Sequence, residues 1–381
     1  MTAAAAVERA VARVDLGAIE RNCRRIRSLL AERSELCAVV KADGYGHGDV
    51  ECARAALAGG ATWLAVAAGD EAAALRAEGV DGRLLVMGAL TGAEAATAAA
   101  AAAEVVAWDE RFVEELGAAA AQSGHSLRVH VKLDTGMGRL GTKDPDAALS
   151  VCERVARHDS LELAGVMTHF ATADEPGDDH FPAQLRAFRE FAAAAKRLEP
   201  SLTVHAANSA AVFRERASHF DMARCGIAIY GLDPFGEDAA GRDLEPALEL
   251  RSYVAEVKRF EPGESAGYGR RFVAQEPTNL ATLPIGYGDG VRRALTNNAE
   301  VLVGGARRPL VGTVSMDNVT VDVGRPATVA EGDEAILIGT QGEQRITAEE
   351  LARQLDTINY EITCGLLPRV PRAYHRDGEP A

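Results

Sequence analysis

Apolar, often β-branched runs recur along the first 230 residues, at CAVVK (37–41), TWLAV (62–66), LLVMG (84–88), EVVAW (104–108), RVHVKL (128–133), ELAGVMTHF (162–170), TVHAAN (203–208) and CGIAIY (225–230). Continuous apolar runs this short read as buried strands. Between them lie stretches rich in alanine, glutamate and arginine, such as ERNCRRIRSLLAER, DEAAALRAEG and PAQLRAFREFAAAAKRLEP, whose composition favours helix. Strand and helix alternating eight times predicts an α/β chain of the (β/α)8, TIM-type barrel class; a doubly wound open sheet is the competing arrangement. The strand ends favour the barrel, because that fold gathers its active site at the C-terminal ends of its strands. Lys41 closes the first run, Asp134 to Arg139 follow the fifth, His169 ends the sixth, Asn208 and Ser209 follow the seventh, and Arg224 and Gly226 flank the eighth.

After about Leu244 the pattern changes to short β-rich runs with glycine turns, including LRSYVAEVKRF, TNLATLPIGYGDG, AEVLVGGARRPLVGTVSMDNVTVDVG and DEAILIG. This predicts a mainly β C-terminal domain over residues 244–381, after a barrel domain over residues 1–243 whose first residues are able to pair with the second domain instead. One helix, TAEELARQL, interrupts the β domain, with Thr347 and Glu350 spaced as a capping box.

Composition narrows the function. The formal charge is −15, so neither nucleic acid nor an anionic membrane is the expected partner, and any anionic ligand must be bound locally. Cys23, Cys37, Cys52, Cys152, Cys225 and Cys364 lack CxxC or CxxH spacing, which indicates no metal site and no disulfide framework. The first twenty residues are interrupted by charge and do not read as a signal peptide, so the expected location is cytoplasmic. The alanine-rich stretch 95–103 is too short for a membrane span and reads as helix.

The most informative local feature is AVVKADGYGHG, residues 38–48. Gly44, Gly46 and Gly48 form a loop in which the backbone can take unusual angles or approach a ligand. A desolvated lysine at such a place becomes a nucleophile able to form a Schiff base with an aldehyde, the usual attachment of pyridoxal 5′-phosphate (PLP). A lysine that reaches the surface at a strand end is the other reading of these residues alone.

Nine motifs in order then carry a resemblance over nearly the whole chain: AVVKADGYGHG, KLDTGMGRLG (132–141), THF (168–170), ANSAA (207–211), RCGIAIYG (224–231), AGYGRRF (266–272), LPIGYGDG (283–290), VSMD (314–317) and INYEI…RVPRAY. Together they resemble the alanine racemases, fold-type III PLP enzymes. The resemblance implies an isomerase that interconverts L- and D-alanine, supplying D-alanine for peptidoglycan. Racemisation needs proton transfer on both faces of Cα; the resemblance gives Lys41 to the D-enantiomer and Tyr268 to the L-enantiomer. Tyr268 needs assistance to act as a base, and the implied chain runs through His169 to Arg224, which takes the place at the pyridine nitrogen where many PLP enzymes have a carboxylate. The PLP phosphate is implied to lie against Tyr45, Asn208, Ser209, the backbone of Gly226 and Ile227, and Tyr360; Ser209 also reads as an N-cap of the next helix. Arg139 is implied at the PLP phenolic oxygen and the substrate carboxylate. Lys132, at a position often carbamylated in the family, supports that arginine. Met316 and Asp317, with Tyr287 and Tyr360, are implied at the entrance, and Ser315 stands where some relatives carry cysteine. A head-to-tail homodimer follows, each second domain supplying Tyr268 and Met316 to the other barrel. The alternatives are a fold-type III decarboxylase, for which Cys364 lacks the setting, a PLP carrier without turnover, and a broad-specificity racemase.

Overall fold

The computed structural model describes residues 8–124, 126–326 and 328–381. They form two compact units, one spanning Ile19–Glu245, the other joining the described residues up to Ala18 with Pro246–Ala381. The chain's first strand, β1 (Ala10–Asp15), thus belongs to the second unit.

In the first unit eight strands close into a parallel barrel in chain order: β2 (Glu35–Val39), β3 (Trp63–Val66), β4 (Arg83–Val86), β5 (Glu104–Ala107), β6 (Leu127–Lys132), β7 (Leu161–Met167), β8 (Thr203–His205) and β9 (Met222–Cys225). Closure is made where β9 pairs with β2, Met222 opposite Glu35. The alternation of apolar runs and helical stretches therefore gives the barrel, not the open sheet. Helices follow the strands because their first turns are capped by short polar side chains. Thr91 accepts from the Glu94 N–H before Gly92–Ala100, the alanine-rich helix, and Asp109 accepts from Phe112 before Glu110–Ser123.

Two strand expectations need correction. Of the run at 225–230 only Cys225 belongs to a strand; Gly226 adopts φ −102° and ψ −91°, and Ile227–Tyr230 forms a 3-10 turn. The four turn residues are fully buried, so their apolar character signals burial and not strand. Lys41 also lies beyond its strand, which ends at Val39.

The second unit is built on a sheet of eleven strands. Toward one end of it lie β10 (Leu248–Tyr253), which pairs antiparallel with β1, and the strand Arg372–Arg376, which pairs parallel with the other edge of β1. Ala348–Gln354 is helical as expected, with the Thr347 hydroxyl accepting from the Glu350 N–H, but the Glu350 carboxylate engages Arg307 at 2.6 and 2.9 Å. The reading of one helix was incomplete: Asn359–Cys364 forms a second. Among the described residues no helix is long and apolar enough to cross a membrane. Five cysteines are buried, and Cys364 is exposed.

Candidate active site

The chain that follows β2 turns the wrong way for L-residues. Ala42, Asp43, Gly44 and Tyr45 all have φ between 54° and 57°, which makes one left-handed helical turn directly after Lys41. Each left-handed residue with a Cβ costs about 1–2 kcal/mol, so the surroundings must hold the turn in place. Gly46 and Gly48, at φ 84° and 92°, let the chain leave it. The Glu71 carboxylate braces it, accepting from the Ala42 N–H at 2.7 Å while its other oxygen accepts from Ala67 and Ala68 at 2.7 and 3.2 Å. Behind the turn, buried His47 donates from Nδ1 to the carbonyls of Gly44 and Tyr45, and its ring stacks on Tyr230 at 4.5 Å. The Tyr230 hydroxyl in turn donates to the Val39 carbonyl at 3.0 Å, tying the loop to the strand that carries Lys41. Lys41 itself is half-buried at the barrel's C-terminal end.

Arg224, 4% exposed, is held on several sides. Its Nη1 donates to His205 Nδ1 at 2.9 Å; its Nη2 donates to the carbonyls of Thr168 and Ala206 at 2.8 and 3.1 Å and to His169 Nδ1 at 3.3 Å. Burial lowers the guanidinium to about 10, which leaves it a cation at neutral pH. His169 is pushed well below the ordinary histidine range by burial and then by Arg224, Lys132, Arg139 and Lys41. It is therefore neutral, and with Nδ1 accepting from Arg224 its proton sits on Nε2. Gln184 fixes this strand end, donating to the His169 carbonyl and to Thr135 Oγ1 at 3.2 Å each.

Lys132, 4% exposed at the end of β6, is lowered to about 8 by burial and by Arg224, Arg139 and Lys41, against the opposing pull of Asp134. Asp134 gathers the following loop by accepting from the N–H groups of Gly136, Met137 and Gly138, and that loop presents exposed Arg139. Nearby, Ser209 Oγ accepts from the Gly226 N–H at 3.1 Å. A Cβ on Gly226 would stand 2.3 Å from the Tyr45 hydroxyl, so the missing side chain makes room for that phenol. The helix cap is Asn208, whose Oδ1 accepts from Ala211 at 3.0 Å, and Ser209 is the first helical residue. This corrects the N-cap reading of Ser209 and frees its hydroxyl to face Gly226. Ile227 opens the 3-10 turn, fully buried.

The remaining candidates lie on the second unit. Tyr268 stands in a short turn between two glycines of positive φ, 75% exposed, with its carbonyl accepting from Thr313 Oγ1 at 2.6 Å. Tyr287 and Met316 are exposed on neighbouring loops, joined where Tyr287 N donates to the Ser315 carbonyl and Gly288 N to that of Met316. Arg369 clamps the same loops: it donates to the Met316 carbonyl at 3.1 Å, to Asp317 at 2.8 Å, and to fully buried Asp289 at 2.7 Å. Asp289 also takes Arg9 Nη1 at 3.0 Å. Tyr360 is half-buried on the helix Asn359–Cys364.

Sequence reasoning missed Glu71, Glu104, His130, His205, Gln184 and the Asp289 clamp. The signal available for two of them was a histidine inside an apolar strand, at RVHVKL and TVHAAN.

Comparison with known proteins gives a single answer. Residues 14–234 match the family described as "Alanine racemase, N-terminal domain" and residues 247–374 its "Alanine racemase, C-terminal domain". The chain is 40% identical over 370 residues to "Alanine racemase 2" of Caldanaerobacter subterraneus subsp. tengcongensis, covering 96% of this chain and 95% of that protein. It is 44% identical over 373 residues to the alanine racemase of Thermobifida fusca, with 96% and 98% covered. The solved alanine racemase of D-cycloserine-producing Streptomyces lavendulae superposes with a TM-score of 0.91 at 39% identity, covering 96% of this chain and 97% of that one. With both halves matched and nearly the whole length of chain and relatives covered, this enzyme belongs to the alanine racemase family.

Proposed function

We propose that the protein interconverts L- and D-alanine with PLP held at the mouth of the barrel. The observation that carries this reading is electrostatic: a chain of formal charge −15 gathers Lys41, Lys132, Arg139 and Arg224 at one barrel end, close enough to depress the Lys132 and His169 titrations. Such a cluster suits a ligand with a phosphate, a phenolate and a carboxylate. The residues present fit PLP. The family's phosphate set is present: Tyr45 and Ser209 meet at the backbone of Gly226, next to Ile227, with Asn208 capping the adjoining helix, and by likeness to the family Tyr360 completes the set. Arg224 suits the ring nitrogen, and Arg139 suits the phenolic oxygen and the substrate carboxylate.

PLP bound at Lys41 would supply the electron sink that makes the alanine Cα–H acidic. The amine of Lys41 takes or returns the proton on the D-side of Cα, and the Tyr268 hydroxyl does so on the L-side. His169, with its proton on Nε2, is set to donate to the Tyr268 oxygen and stabilise its anion, while Arg224 holds the imidazole through Nδ1. Arg224, always protonated and purely a donor, lends the ring nitrogen no proton; this limits charge delocalisation and favours rapid return of the Cα proton. Lys132, lowered to about 8, is partly the free amine, whose lone pair can attack carbon dioxide and release a proton, and the resulting carbamate would turn the repulsion from Arg139 into an ion pair.

Tyr268 belongs to a second copy in this reading, in a head-to-tail homodimer. Its exposure and that of Met316, Tyr287, Ile358 and Leu367 in the same unit support a surface covered by another chain. Met316, Asp317, Tyr287 and Tyr360 would then narrow the entrance toward a small substrate, alanine, made available in the cytoplasm as D-alanine for peptidoglycan.

The test is chiral chromatography of a small amino-acid panel incubated with PLP-saturated protein, starting from each enantiomer. Both alanine reactions should converge on an equal mixture. No conversion despite bound PLP would overturn the racemase reading in favour of a decarboxylase or carrier.

A further inference from the structure

Two fully buried histidines lie inside the barrel with no part in the chemistry above beyond the contact of His205 with Arg224. His205 Nε2 is 2.8 Å from His130 Nδ1, and His130 Nε2 is 2.8 Å from Glu104 Oε2. Glu104 starts β5 and is itself 4% exposed; its other oxygen takes Arg83 at 2.8 Å and Arg128 at 3.3 Å, from the first residues of β4 and β6 or next to them. A continuous line of polar contacts therefore runs from the N-terminal ends of the strands to Arg224.

Proton counting gives this line one direction. Arg224 can only donate, so His205 Nδ1 must accept and Nε2 must carry the proton. That proton goes to His130 Nδ1, which must also be bare, so His130 holds its proton on Nε2 and donates it to Glu104. The ionised carboxylate accepts that proton without offering one in return, and its negative charge strengthens the contact. A second proton on either imidazole would set two N–H groups against each other at one of the three contacts. Burial favours the same state in both rings, and the cations at each end, Arg83 and Arg128 on one side and Arg224 and Lys132 on the other, oppose further positive charge; Glu104 pulls His130 the other way without reversing its downward shift.

We propose that Glu104 is a positioning residue for Arg224, acting through neutral His130 and His205 to fix the guanidinium against the ring nitrogen of the bound cofactor. The inference rests on the racemase reading for the identity of what Arg224 faces, and on the barrel interior alone for the line itself. Glu104 touches neither substrate nor cofactor.

The experiment is long-range proton–nitrogen NMR of the 15N-histidine-labelled holoenzyme, with H130Q and H205Q spectra as assignments. Both rings should be neutral with the proton on Nε2 throughout the neutral range, and the His130 Nε2 proton should resonate far downfield. In E104Q that proton should move upfield, the absorption of bound PLP should shift, and kcat should fall about tenfold with KM nearly unchanged. H130Q should change kcat in the same direction, which keeps the test open if E104Q does not fold. R83Q removes an ion pair from the same carboxylate but not the line, and should leave tautomers and kcat alone. A cationic or Nδ1-protonated ring in the unsubstituted protein, or equal losses in E104Q and R83Q, overturns the proposal. A wild-type protein that binds PLP without racemising alanine would sink the racemase reading, while the histidine spectra would still decide the line.

Discussion

Lys132 is the residue whose ionisation the fold disturbs in the most testable way. Its folded value of about 8 lies below the ordinary 10.5, so between these two the unfolded chain binds more protons than the folded one. Stability should accordingly rise with pH across that window, and Lys132→Met should flatten the rise in urea titrations at a series of pH values. A carbamate on Lys132 would already have flattened the wild-type curve, so the comparison also reports the modification. Lys41 and Tyr268 are separated by different losses. Lys41→Ala should abolish covalent PLP, read as absorbance that stays with the protein after borohydride reduction and denaturing filtration. Tyr268→Phe should keep the cofactor and stop exchange of the L-alanine α-proton with solvent; normal exchange would remove the two-base assignment. At this scale the sequence exposes residue types well, since a lysine before ADGYGHG or an arginine before CGIAIYG stands out. It does not expose partners. Glu104, His130 and His205 meet across three strands separated by up to 101 positions, from Glu104 to His205, and no local pattern marks that encounter.

The left-handed turn after Lys41 shows what an element can hide. Its three glycines are legible as loop, yet Ala42, Asp43 and Tyr45 share the same unfavourable hand, and the brace that permits it comes from Glu71, which in sequence is one more residue of the helix-favouring stretch DEAAALRAEG. Glu71→Ala should cost about 1–3 kcal/mol of stability by leaving three backbone N–H groups without their acceptor, and should weaken covalent PLP attachment more than bulk folding, measured by denaturation beside cofactor titration. Gly226→Ala should displace the Tyr45 phenol and weaken PLP binding about tenfold while the barrel stays folded, seen in equilibrium dialysis. The eighth strand was misplaced for a related reason: Met222–Cys225, which carries Arg224, and Ile227–Tyr230 are equally buried, the more apolar of the two is the turn, and the backbone at Gly226 separates strand from 3-10 turn.

At the scale of the whole molecule, the barrel was legible because eight apolar runs at regular intervals leave few ways to close a sheet. The β unit was legible only as a class, since its strand order shuffles the chain and admits β1 from the other end. The proposed assembly has a direct test. Lys41→Ala and Tyr268→Phe proteins, each inactive, are mixed, unfolded and refolded together. If each site combines the barrel of one copy with Tyr268 of the other, half of the randomly formed pairs contain one intact site, and activity should return to roughly a quarter of wild type. Failure of the mixture to regain activity while heterodimers are present would mean that each chain completes its own site.

The pairing of β1 also sets an order in time. Ala12 lies opposite Arg372, 360 positions later, and everything from Ile19 to Glu245 is made in between. As the chain leaves the ribosome, the barrel segment is complete while β1, already outside, still lacks both neighbours, an open strand edge of the kind that recruits other chains. A nascent chain stalled just before Arg372 would carry a finished barrel and, at the same time, a β1 paired with β10 on one edge and bare on the other. Synthesis rate across the last hundred or so codons, and not the barrel's own folding, should therefore govern how much newly made protein is lost to aggregation.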